Sequence, residues 1–252
     1  MVNNTAWSTS VVWLKKARKY HRWLMAGVGV QFLFWSITGV YMVSMNIHYI
    51  HGESLVKDDD EKLDLGSIEF PMSALVAEYP NARAISLTQR MGAPIYIVAT
   101  GANTFSIDAI TGAQLPKLNE AAAIAIARYH YAASDEITGS RLIRFSSDMP
   151  EELSSRHLPV WQVTFDNVAA PTFYISQQTG EIVTKRHHYW RLFDWMWRFH
   201  IMDYDNGENV KNGFLFFVAA IGVIAALLGA ALTYFSLRTS VTKGSVEKGF
   251  NK

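Results

Sequence analysis

The chain contains no cysteine. That absence excludes disulfide staples, thiolate metal sites, iron–sulfur clusters and the C-x-x-C-H attachment of c-type haem. Charge is missing from two long stretches. Trp23 to Met45, 23 residues, and Gly213 to Leu237, 25 residues, hold no Asp, Glu, Lys or Arg. At the helical rise each reaches roughly 35 Å or more, enough to cross a hydrocarbon core of about 30 Å. The first run is too long for a signal-peptide core, and Ser44-Met45-Asn46-Ile47-His48 offers no small-x-small cleavage site. Neither run has the charged face of a helix lying on a membrane. A P-loop, a dinucleotide fingerprint and a nucleophile elbow are all missing. So is an aromatic-studded basic groove, and no nucleic-acid partner is expected.

What is present is an uneven charge distribution. Residues 1–45 and 214–252 carry nine Lys/Arg against one acid, Glu247, a net of +8. The section 46–213 holds the other 14 bases against 21 acids, a net of −7. Bases gathered beside both apolar runs mark the cytoplasmic side. The expectation is a bacterial inner-membrane protein with both termini cytoplasmic and residues 46–212 outside. Gly27, Gly29 and Gly39 in the first run, and Gly222, Ala226 and Ala230 in the second, suit close helix packing. The expected partners are therefore the lipid bilayer, other membrane subunits or a second copy of the chain.

Between the runs a pattern recurs. Pro71 opens a helix over 72–79, and strand-like runs follow at 84–89, 94–100 and 103–107. A second helix, 119–132, precedes runs at 141–145, 160–165 and 172–176. Pro94-Ile-Tyr-Ile-Val-Ala-Thr100 answers Pro159-Val-Trp-Gln-Val-Thr-Phe165, and Thr104 to Ala113 answers Thr172 to Glu181. A duplicated unit of helix plus antiparallel sheet is the simplest reading. His187 to Tyr204, HHYWRLFDWMWRFHIMDY, has a helical aromatic stripe suited to a membrane–water interface. The expected organisation is a basic N-terminus 1–22, spans 23–45 and 213–237, a linker 46–70, repeats 71–116 and 117–186, an interfacial helix and loop 187–212, and a tail 238–252. The fold class is α+β: two transmembrane helices flanking a duplicated extracytoplasmic domain.

The chain resembles the PepSY-associated transmembrane family. The likeness rests on Tyr20-His21-Arg22-Trp23-Leu24 leading into a span with Ile37-Thr38-Gly39. It rests also on the paired strand–turn ends Ser106 to Gly112 and Tyr174 to Gly180. It implies PepSY-like repeats, whose soluble relatives resemble inhibitory or chaperone-like propeptide domains. Longer relatives are membrane electron-transfer proteins, some handling ferric siderophores with b-type haem, typically with four spans where this chain has two.

Histidines are the chemically pointed feature. His48 and His51 lie three apart beyond the first span, and His187, His188 and His200 flank the aromatic helix. Two imidazoles from different elements can grip one haem b, so His48, His51 and His200 are the candidate ligands. His21 lies 27 residues before His48, roughly 40 Å along a helix, so one haem cannot bridge them. A complete electron wire within one chain is not expected. Asp108 to Ala113 matches the D-x-x-T-G-A of flavin attachment, but Gln114 stands where a hydroxyl is needed; it reads as a hairpin turn. Asp58 to Asp60 lacks the spacing of a calcium loop and reads as a solvated linker. No catalytic residue and no protein-bound metal site is expected. The functional expectation is a non-catalytic accessory or assembly subunit of a membrane complex, a redox one in the first instance. The alternatives are a haem b electron carrier and a protease-inhibitor-like module.

Overall fold

A computed structural model describes residues 4–57, 63–101, 103–205 and 207–250, with 4–15 and 238–250 given as helical backbone only. The acidic run at 58–61 lies outside the described residues. In chain order the elements are α1 (Asn4–Ser44), α2 (Ile47–Ile50), α3 (Met72–Glu78), β1 (Ala84–Arg90), β2 (Ala93–Ala99), β3 (Thr104–Asp108), α4 (Glu120–His130), β4 (Ile137–Ile143), β5 (Val160–Phe165), β6 (Thr172–Ser176), β7 (Ile182–Arg186), α5 (His188–Ile201) and α6 (Gly213–Phe250). They form two units. A sheet unit spans Met45–Phe193, and a helical unit combines Met1–Ser44 with Asp194–Lys252. The class is α+β, with two helices of membrane-crossing length and two antiparallel sheets.

In the sheet unit, β1-β2-β3 form one antiparallel sheet and β4-β5-β6-β7 another. Met91-Gly92, both at positive φ (49° and 79°), make the two-residue β1–β2 turn whose twist suits a hairpin. Leu75 of α3 fills the first core against Tyr96, Val98 and Ile107, all essentially buried. Asn119 caps α4 by accepting from Ala122 N at 2.9 Å. That helix lays Ala123, Ile126 and Ala127 on Trp161, Val163, Phe173 and Ile175. Tyr131 stacks on Phe165 at 3.8 Å between centroids. A third cluster, with Val160 and Tyr174, covers the other face of the same sheet. There Arg191 clamps Glu152 through Nε and Nη2 at 2.6 and 2.8 Å, and Tyr174 donates to the same carboxylate at 2.6 Å.

The two strand–turn ends match nearly bond for bond. Gly112 N donates to Asp108 O and Gly180 N to Ser176 O, both at 2.9 Å, and both glycines adopt positive φ (73° and 77°). Asp108 Oδ1 accepts from Ile110 N and Thr111 N, while Ser176 Oγ accepts from Gln178 N and Thr179 N. The segment 108–113 is thus a hairpin-type turn. The second turn docks on the first sheet, Ser106 Oγ donating to Gln178 O at 2.7 Å. A Cβ at Gly180 would meet Arg90 Nε at 2.6 Å, so side-chain-free backbone is needed there.

In the helical unit, the stretches Lys16–Ser44 and Gly213–Leu237 are long and apolar enough to cross a membrane. A Cβ at Gly222 would stand 3.9 Å from Val28, and one at Gly229 would stand 3.0 Å from His21. Moving back along α1 matches moving forward along α6, so the pair is antiparallel. Beyond this seam the apolar side chains are bare: Val43 is 89 % exposed and Phe216 77 %. Helices in a water-soluble core bury such residues.

Candidate functional site

His200 lies in the last turn of α5, in the helical unit, and its ring is held from α1. Thr38, buried on α1, has its hydroxyl oxygen 2.8 Å from Phe34 O and 3.2 Å from Trp35 O of its own helix. The same Oγ1 lies 3.0 Å from His200 Nδ1, a hydrogen bond whose direction follows the ring tautomer. Trp35 Nε1 donates to His200 O at 2.6 Å, fixing the backbone that carries the ring. A second-atom hydrogen bond that sets tautomer and orientation is what a ligating imidazole needs.

The turn after His200 is rigidly tied. Arg198 donates to Asp194 at 2.8 Å and to Asp205 O at 3.1 Å, and Trp197 donates to Gly207 O at 2.9 Å. Asp203 accepts from Asn209 N, and Asn212 bridges Ile201 O to the first turn of α6 by accepting from Leu215 N. These bonds hold the end of α5 against the start of α6.

The other histidines stand differently. His48 and His51 lie on one short element of the sheet unit, but not on a continuation of α1. That helix ends at Ser44, and Asn46 caps the four-residue α2 by accepting from His48 N and Tyr49 N. His48 Nδ1 pairs with Glu53 Oε2 at 2.8 Å, both side chains largely exposed. His51 is the exposed C-cap of α2. His200 belongs to the other unit. His187 is buried and spent. Its Nε2–H donates to Tyr49 O at 2.9 Å and its Nδ1 accepts from Trp190 N at 3.2 Å, so both nitrogens are taken. Burial holds its pKa below the ordinary histidine value. His188 is exposed beside Arg191. His21 lies against Gly229 with its Nδ1 buried and unbonded among the described residues.

The fit to a haem is therefore uneven. His200 offers an oriented ring, His48 has Nε2 left beyond its carboxylate, and the His51 ring forms no hydrogen bond among the described residues. Among the described residues no group of three or more His, Asp or Glu is placed to hold a metal ion. Reasoning from residues alone missed Thr38 and Trp35, which lie on the apolar run and carry no sign of a polar role. It missed the Arg191–Glu152 clamp as well. Comparison with protein-family models, curated proteins and solved structures finds no match to this chain.

Proposed function

We propose that this chain is a two-span inner-membrane protein, both termini cytoplasmic, that presents a duplicated PepSY-like domain outside and serves a membrane complex as a non-catalytic assembly or accessory subunit. The observation that carries the reading is the helical pair itself. Its own packing uses one glycine-bearing seam, and it leaves broad apolar flanks bearing Phe32, Val43 and Phe216 for lipid and a neighbouring subunit. Purification from native membranes in mild detergent is expected to bring down a stoichiometric membrane partner. A chain that runs alone at its monomer mass under those conditions overturns the reading.

A second reading is favoured by one observation, the hydroxyl and backbone contacts that orient the His200 ring. In it His200 supplies one ligand of a b-type haem, and the complex served is a redox one. The haem supplies one-electron transfer, while Thr38 and Trp35 hold the His200 ring. Expression with ample haem is expected to yield a Soret band that His200→Ala removes. Protein without that band ends this reading and leaves the first standing.

A further inference from the structure

A cavity of about 490 Å³ opens within the sheet unit. One wall is the edge strand β1 from Ser86 to Arg90, with Ile97 of β2. The other is Val56, His130, the turn 179–182 and Lys185 of β7. Two of these residues are cations that form no ion pair among the described residues. Arg90 Nε and Nη2 donate to Thr179 O at 3.1 and 2.6 Å, and Nη2 also donates to Ser106 Oγ at 2.8 Å. All of these partners are neutral, and Nη1 has none among the described residues. Lys185 Nζ likewise forms no hydrogen bond or ion pair among them, although the Glu53 charge favours its protonated form. Burial works against the charge of both groups. Among the described residues the one acid on the lining is Glu181, which is exposed.

A half-buried guanidinium held only by neutral acceptors has given up water without gaining an opposite charge, a cost that a bound anion offsets. The volume far exceeds that of an inorganic ion and falls in the range of about 300–1,000 Å³ typical of small-molecule sites. The lining mixes apolar Val56, Ile97 and Ile182 with Ser86 and Thr88. We propose that this cavity binds an organic anion, its carboxylate or phosphate head held by Arg90 and Lys185 and its short apolar body lying against Val56, Ile97 and Ile182. The site does not depend on how the helical unit meets the membrane.

Titration calorimetry on the full chain in lipid nanodiscs tests this with hexanoate, hexyl phosphate and uncharged hexanol. Saturable binding of hexanoate or hexyl phosphate is expected, with hexanol at least about tenfold weaker. Which of the two anions binds more tightly identifies the head group. Arg90→Gln removes bonds to the second turn as well as a charge, so Lys185→Gln, whose ammonium forms no hydrogen bond or ion pair among the described residues, is the deciding variant. It is expected to weaken binding about tenfold. No saturable binding up to about 10 mM, equal binding of hexanol, or unchanged affinity in Lys185→Gln each overturns the proposal.

Discussion

Replacing His187 with Ala removes three supports at once. The N-cap bond to Trp190 N goes, which costs about 1 kcal/mol. The Tyr49 carbonyl loses its donor, a further ~1 kcal/mol or more for a buried acceptor. The ring, 1 % exposed and 5.1 Å from the Tyr49 ring, leaves a void. Together the loss is about 3 kcal/mol, while His187→Asn, which keeps a capping oxygen, recovers about 1 kcal/mol. Acid acts on the same spot. Burial places the folded pKa below the ordinary 6.5, so the unfolded chain takes up a proton first. Stability contributed by the neutral ring is complete above 6.5, declines as pH falls below it, and stops declining beneath the folded value. Within that window the slope approaches ~1.4 kcal/mol per pH unit. Protonation at Nδ1 also breaks the Trp190 cap. Urea melts of the full chain from about pH 7.5 to about pH 5, with hydrogen exchange at residues 190–193, read both effects. A loss under about 1 kcal/mol in His187→Ala, or an acid slope equal in wild type and His187→Ala, would refute the reasoning.

Three further expectations follow from single contacts. Arg191→Ala strands the nearly buried Glu152, whose side chain is only 10 % exposed, and should cost about 3 kcal/mol in the urea midpoint; a loss near zero would mean the clamp is slack. Thr38→Val removes the hydroxyl that bonds His200 Nδ1, so ring ¹⁵N spectra should change from one tautomer to a mixture, and an unchanged spectrum would show that Thr38 does not set it. In a chain with no native cysteine, the pair Val28→Cys and Gly222→Cys should form a disulfide in oxidised membranes, whereas Gly27→Cys with Gly222→Cys should not. Equal cross-linking of both pairs would contradict the Val28–Gly222 contact.

Local signals carried much of the architecture. Apart from Met45, the two uncharged runs lie within α1 and α6, Asn119 caps α4, and β2, β3, β5 and β6 fall where alternation and flanking glycines put them. The strand β7, Ile-Val-Thr-Lys-Arg, was hidden because charges at an edge read like a loop. The beginning of β4 was hidden because Gly139 and Ser140 are poor strand formers, held there by β5 across a register shift. The break at Met45-Asn46 depends on a capping side chain inside a stretch that reads as continuous helix. The candidate site was legible as histidines and no further. The partner that orients His200 lies 162 residues away, and His187 looks like an interfacial residue until the chain folds over it. Arg90 and Lys185 come together only through packing of the second turn on the first sheet.

The twin turns differ in one atom type, and that difference has a consequence of its own. Where the earlier turn gathers its amides on the Asp108 carboxylate, the later turn gathers them on the Ser176 hydroxyl. Those amides hold the Asp108 carboxyl below the usual aspartate range, so its contribution is present near neutrality and disappears as pH falls through the depressed value. Serine has no proton to gain. Strong acid should therefore loosen the end of the first hairpin while its sibling stays closed, making the two halves of one architectural motif part company in the order in which they let go.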